Sequence, residues 1–217
     1  MDFYFPYLID YSHLAVETVA VFCVAALAGI MVSAEGQAFV ATLLGDSRVG
    51  AKDRFHYNVF LHMSVLGSLN FLVAGFGWAK EMDIDVSKFK KHPRLFLIIA
   101  RLAGPMANLL LANIAASLNW LIGSFGLVDN VFSMVAAVNV TMAVYGLIMI
   151  PPLPGSVLLL AFFPDTPLFN RAKKNLNIIG PITLISIFAA VRLSDWDGIS
   201  SVFTPVVSVI TRTILGL

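Results

Sequence analysis

Long stretches without charged residues alternate with short polar connections along the 217 residues of this chain. A hydrocarbon core about 30 Å thick is spanned by about 20 apolar residues in a helix. Four uncharged stretches reach or approach that length: Thr18 to Ala34, Leu102 to Val128, Asn130 to Pro164, and Asn175 to Val191. A fifth, Asn58 to Trp78, has His62 as its one ionisable group, and a weaker sixth, Gly198 to Leu217, contains Arg212. The pattern predicts an all-α, polytopic membrane protein with five or six transmembrane helices.

The stretch from Asn130 is interrupted by three prolines within the sequence Pro151-Pro152-Leu153-Pro154-Gly155. Proline lacks a backbone donor and clashes with the preceding helical turn, so the helix should break here. A break at membrane depth is tolerated where protein or a polar cavity satisfies the freed carbonyls. We therefore expect a non-helical segment packed inside the bundle. A simple kink near the membrane surface is the alternative.

Composition supports a membrane environment and restricts the partners. Hydrophobic residues make up 59% of the chain and charged residues 12%, against roughly 45–50% and roughly 25% in soluble domains. The net charge of +1 offers no basic excess for nucleic acid, so the lipid bilayer is the expected partner. With short connections and one cysteine, Cys23, the chain is predicted to form a single transmembrane domain, residues 1–217.

Lys and Arg cluster in three connections, at residues 45–57, 79–94 and 164–174. The positive-inside rule places all three on the cytoplasmic side, which puts both ends of Asn58 to Trp78 on one side. Either this stretch dips into the membrane and returns, or the acidic residues Glu81, Asp83 and Asp85 mark a translocated loop. The first residues lack the basic segment of a signal peptide, so the first helix is expected to stay in the mature protein.

Five short motifs resemble those of the site-2 proteases, a family of intramembrane zinc metallopeptidases, in its compact bacterial branch. They are Leu44-Gly45-Asp46, the stretch Asn58 to Gly67, Gly77-Trp78-Ala79-Lys80, Gly104-Pro105-Met106-Ala107-Asn108, and Pro151-Pro152-Leu153-Pro154-Gly155. They follow the family's order from about Val24 to at least Gly155. The resemblance implies a site-2 protease-like fold in a bacterial cytoplasmic (inner) membrane.

The zinc ligands implied by the resemblance are missing. The family's HExxH motif corresponds in this interpretation to Ala34-Glu35-Gly36-Gln37-Ala38, which keeps the glutamate and loses both histidines. The family's third ligand, an aspartate, corresponds to Pro154, which has no side-chain donor. Since no ligand is left at the three positions, we expect no metal and no other cofactor.

Four residues remain as candidates for a degenerate site: Glu35, Asn108, Arg101 and His62. Arg101 precedes Asn108 by seven residues and shares its helix face, which the resemblance directs toward the active site. A buried Glu35 without a metal needs another cation, so we expect a pair with Arg101. Alternatively, Arg101 extends toward the basic connection ending at Arg94. His62 is expected to be hydrogen-bonded inside the bundle rather than to be a metal ligand.

Three functions follow from this interpretation. The first is a catalytically inactive, site-2 protease-like protein that binds or scaffolds a membrane-protein partner or complex. The second is an active intramembrane metalloprotease with a non-standard site. The third is a small transporter or proton-relay subunit that uses Glu35, Arg101 and His62.

Overall fold

The computed structural model describes residues 7–12, 14–47, 58–127, 130–164, 166–194 and 200–216. Within these ranges the regular structure is helical apart from one isolated β-bridge, which confirms the all-α prediction. The helices are α1 (Val16–Leu43), α2 (Val59–His62), α3 (Val65–Ala74), α4 (Pro93–Ser124), α5 (Val131–Tyr145), α6 (Leu159–Phe162), α7 (Pro167–Leu193) and α8 (Ser200–Leu215). Two short 3-10 helices cover Val86–Lys88 and Pro154–Leu158.

Three helices, α1, α4 and α7, are long and apolar enough to cross a membrane. Shorter apolar helices are α3, α5 and most of α8. Only 28% of the apolar window of α4 and 17% of that of α7 are buried inside the protein. Their remaining apolar surface suits lipid, so the protein is an integral membrane protein. Among the described residues, three helices reach full spanning length, so the number of five or six spans stays a prediction.

Small residues allow α1 to cross α4 and α5 closely. A Cβ added to Gly36 of α1 would lie 2.7 Å from the Cβ of Ala107 in α4. A Cβ added to Gly104 of α4 would lie 2.6 Å from the hydroxyl of Ser33. On the next turns of α1, Gly29 approaches Met142 of α5 equally closely. Close crossings of this kind are typical of helix packing in membranes, and they fix which face of α1 meets α4.

The stretch Asn58 to Trp78 forms a hairpin and not a spanning helix. After α2 and α3, the chain reverses at Gly75, whose φ of 73° lies in the left-handed region that glycine adopts without strain. The two ends of the hairpin meet in a β-bridge between Met63 and Ala79. There the Lys80 N–H donates to the His62 carbonyl at 2.6 Å. The structure therefore favours the stretch that dips in and returns over the translocated loop.

Arg192, at the end of α7, holds the tip of the hairpin. Its guanidinium donates to the carbonyls of Leu72 and Val73 at 2.9 Å each, and to the Ile9 carbonyl at 2.5 Å. Its carbon Cζ lies 4.9 Å from the centre of the Tyr11 ring. The carbonyls at the end of α3 have no partner within their helix, so this cation satisfies groups that lipid could not.

The proline break after α5 is packed inside the protein, as predicted. No α-helix continues through Pro152, and Pro151, Leu153 and Gly155 are buried. The Gly155 N–H donates to the Gly146 carbonyl at 2.7 Å. The expectation of a wholly non-helical segment is wrong at its end, because Pro154 begins a 3-10 helix. Proline suits that first position, where its missing N–H would have no helical partner.

We predict that both ends of the hairpin are reached from the same side of the membrane. Single cysteines replacing Phe60 (73% exposed) and Lys80 should react with a membrane-impermeant thiol reagent on one side, in a background where the exposed Cys23 is serine. A cysteine replacing Phe125, at the far end of α4, should react on the other side. Labelling of the Phe60 and Lys80 positions from opposite sides would contradict the hairpin topology.

Candidate functional site

A cavity of about 80 Å³ lies between α1, α4, α7, the proline segment and residues 77–81, the extended segment that follows the turn of the hairpin and is called its returning strand below. Its apolar lining includes Pro105 and the prolines of the break. Its polar lining residues are Ser33, Gln37, Trp78, Lys80, Glu81, Arg101, Asn108, Ser156, Lys173 and Asn177. The motif residues of the hairpin, of α4 and of the proline segment therefore surround one site.

The face of α1 that meets the cavity carries Ser33 and Gln37, four residues apart. Both are more than nine-tenths buried. Ala34 and Ala38 are also buried but pack elsewhere, in an apolar cluster with Met82. Successive residues of a helix are turned by about 100°, so a shift of one position changes the face. The alanines that the motif comparison placed at the histidine positions thus do not line the cavity.

Arg101 lies at the cavity and binds two neighbours. It donates to the Glu81 carboxylate at 2.7 Å and to the Gln37 side-chain oxygen at 3.3 Å. The predicted Arg101–Glu35 pair is therefore wrong, since Glu81 on the returning strand takes the place expected of Glu35. The alternative, in which Arg101 extends toward the basic connection ending at Arg94, agrees better with the structure, because Glu81 belongs to that connection, residues 79–94.

Glu35 and His62 form a separate pair away from the cavity lining. The Nε2 atom of His62 and a carboxylate oxygen of Glu35 are 3.2 Å apart. The His62 side chain is 7% exposed and the Glu35 side chain 16%. This contact joins α1 to the base of the hairpin. His62 thus has a hydrogen-bonding partner inside the bundle, as expected.

Asn108 and Trp78 present buried polar atoms to the cavity. Asn108 is 2% exposed and Trp78 3%. The side-chain oxygen of Asn108 and the indole nitrogen of Trp78 have no hydrogen-bond partner among the described residues. Buried polar atoms are nearly always satisfied, so these two residues bring to the cavity lining one acceptor and one donor that have no partner among the described residues.

The residues that line the cavity do not fit a zinc ion. Zinc in proteins is held by cysteine, histidine and carboxylate ligands. The part of the chain that the structure describes contains no cluster of three or more such residues. At the cavity, Ser33 and Gln37 offer a hydroxyl and an amide, Pro154 offers nothing, and Glu81 is paired with Arg101.

Sequence reasoning identified Asn108 and Arg101 but missed Ser33, Gln37 and Glu81. The signal for the first two was present, since Ser33 and Gln37 have the same spacing as the histidines of HExxH. The sequence interpretation aligned Glu35 with the glutamate of HExxH, which placed Ala34 and Ala38 at the histidine positions. No comparable signal exists for Glu81, because its position depends on the turn of the hairpin.

A search of curated proteins finds a relative in Bacillus subtilis (strain 168), named "Putative zinc metalloprotease YwhC". The two are 34% identical over 127 residues, which cover 54% of this chain and 58% of the relative. The chain thus matches just under three fifths of the relative's length. No family model and no solved structure matches the chain. The similarity fits the resemblance to site-2 proteases that the motifs indicate.

We predict that the energetic partner of Arg101 is Glu81. In a double-mutant cycle with Arg101→Leu and Glu81→Gln, the coupling in the free energy of unfolding should be about 0.5–1 kcal/mol, because Glu81 is more than half exposed and screened. The matched cycle with Glu35→Gln should be additive to within about 0.3–0.5 kcal/mol. Unfolding in detergent measures both. Coupling confined to the Glu35 cycle would contradict this geometry.

Proposed function

We propose that the protein is a catalytically inactive, site-2 protease-like membrane protein that uses its central cavity to bind a membrane-protein partner or complex. The observation that carries this proposal is the side-chain chemistry of the cavity face of α1. Ser33 and Gln37 stand one helical turn apart where a zinc peptidase needs two histidines. Pro154 stands across the cavity where the resemblance places the third ligand.

In this proposal the correspondence with HExxH moves by one residue, to Ser33-Ala34-Glu35-Gly36-Gln37. The place of the catalytic glutamate is then taken by Ala34, which has no proton to exchange. Glu35 is not a remnant of the general base, and its contact with His62 attaches the hairpin to α1. The site would thus lack the general base as well as the metal ligands, which weighs against an active metalloprotease.

The polar groups of the cavity suit a segment of polypeptide. The Asn108 oxygen can accept from a backbone N–H, and the Trp78 indole can donate to a backbone carbonyl. A partner helix that is locally unwound inside the membrane carries such free groups and gains by pairing them. A proton relay through Glu35, Arg101 and His62 has less support, because Arg101 contacts Glu81 and Gln37 and not the Glu35–His62 pair.

The single transmembrane domain and its placement in a bacterial cytoplasmic membrane are part of this proposal. The Bacillus relative and the basic connections next to the apolar helices support them.

We predict that the purified protein holds no stoichiometric zinc. Variants that restore the zinc ligands in one or the other alignment of the HExxH motif test which alignment is correct. Ser33→His, Gln37→His and Pro154→Asp together should give about one zinc per chain, because they place three ligands around the cavity. The matched variant Ala34→His, Ala38→His and Pro154→Asp should bind none, since both alanines pack against Met82. Metal analysis of monodisperse protein measures this.

Two results would contradict this prediction. Stoichiometric zinc in the unmodified protein would remove the proposal of an inactive site. Zinc bound by the variant at Ala34 and Ala38, and not by the variant at Ser33 and Gln37, would support the alignment that places Ala34 and Ala38 at the histidines of the motif.

Partner binding predicts a position-specific cross-link in native membranes. A photoreactive residue replacing Lys173, at the cavity, should give a discrete protein adduct, whereas the same residue replacing Ile182, 60% exposed on the same helix, should give none. Asn108→Leu should abolish the adduct because it removes the free acceptor and fills the cavity. Asn113→Leu, on the exposed face of α4, should leave it unchanged. Equal adducts from both α7 positions would contradict partner binding at the cavity.

A further inference from the structure

A second cavity lies apart from the central one, where α1 ends and α4 begins. It is a groove of about 490 Å³, lined by Leu44, Gly45, Ser47, Lys88, Lys90, Lys91 and Phe96. Three of these residues are lysines, and none of them is acidic. The groove therefore presents a concentrated positive charge that pairs with an anion.

The lysines are held by a folded frame. Phe89, 4% exposed, turns inward against the ring of Phe96 at 5.8 Å, which leaves the flanking Lys88 and Lys90 facing outward. The buried carboxylate of Asp46, after α1, accepts the N–H of Asp85 at 2.9 Å. This bond ties the end of α1 to the 3-10 helix that carries Lys88. The backbone that carries the lysines is thus fixed relative to both helices.

Apolar surface continues from the groove along both helices. On α1, Leu43 and Phe39 are 69% and 56% exposed, one turn apart. On α4, Leu95 and Ile99 are 51% and 42% exposed, also one turn apart. Since both helices are candidate spans, we expect these exposed side chains to contact lipid at the helix ends that form the groove. A molecule with an anionic group at the lysines and acyl chains along the apolar side chains of both helices is an anionic phospholipid.

We propose that this groove binds the headgroup of an anionic phospholipid, with the lysines on the phosphate and the acyl chains along α1 and α4. A soluble anion would use the lysines but leave the apolar surface without a partner. A zwitterionic lipid would cover the apolar surface but bring no net charge to the lysines. The basic connection 79–94 falls on the cytoplasmic side by the positive-inside rule, where anionic lipids are recognised by such groups.

Native mass spectrometry of the detergent-solubilised protein tests the proposal, with phosphatidylglycerol and phosphatidylcholine as probes. The protein should retain phosphatidylglycerol in preference to phosphatidylcholine. Lys88→Gln with Lys90→Gln should weaken phosphatidylglycerol binding about 30-fold, because each lysine near an anionic lipid contributes about fivefold. Lys88→Arg with Lys90→Arg should retain it. The control, Arg171→Gln with Lys174→Gln, removes the same charge from another basic connection and should leave binding unchanged.

Three outcomes would overturn the proposal. Equal retention of the two lipids by the unmodified protein excludes selection of an anionic headgroup, and this comparison depends on no variant. An equal loss in the control pair indicates a general effect of charge. Displacement of phosphatidylglycerol by an equal concentration of inorganic phosphate indicates a site for free phosphate.

Discussion

Backbone groups that lie at membrane depth must find their hydrogen-bond partners inside the protein, and this constraint shapes both irregular segments of the fold. In the hairpin, the side-chain amide of Asn70 donates to the Phe76 carbonyl at 2.8 Å. The cation of Arg192 takes the carbonyls at the hairpin tip. In the proline segment, the bond between Gly155 and Gly146 closes the turn. These hydrogen bonds attach each segment to the helix bundle, so the walls of the cavity between the two segments are held in place.

Close backbone contacts then fix how the segments that form the cavity walls lie against their neighbouring helices. A Cβ added to Gly67 would overlap the Trp78 carbonyl, and one added to Gly180 would overlap the Pro151 carbonyl. The first contact presses the returning strand against α3, and the second presses α7 against the proline segment. A methyl group at either position would separate backbones whose contact positions Trp78 and Pro154 at the cavity. The glycines therefore act on the site through packing, since they contribute no side chain to it.

The sequence predicted the helical class, the break at Pro151 and the group of motifs that surround the cavity. These features depend on local properties, namely apolar length, proline chemistry and short motifs. The sequence did not predict that Glu81 would pair with Arg101, because the return of the hairpin brings these two residues together. It also aligned Ala34 and Ala38 with the histidines of HExxH, whereas Ser33 and Gln37, which have the same spacing, are the residues that line the cavity. A difference of one residue on a helix is a rotation of about 100°. For this reason Ala34 and Ala38 pack against Met82, whereas Ser33 and Gln37 line the cavity.

The position of Glu81 explains how the charge of Arg101 is stabilised at the cavity. An arginine that faces a low-dielectric interior needs an anion or several acceptors. Arg101 has one anionic partner, the Glu81 carboxylate, and one neutral acceptor, the Gln37 side-chain oxygen. Gln37 is neutral, so it completes this network without adding a charge. A neutral histidine that holds a metal through one ring nitrogen carries a proton on the other, so it would have no atom left to accept from Arg101. The network that stabilises Arg101 at the cavity therefore uses Gln37, one of the two side chains that the proposed register places at the histidine positions.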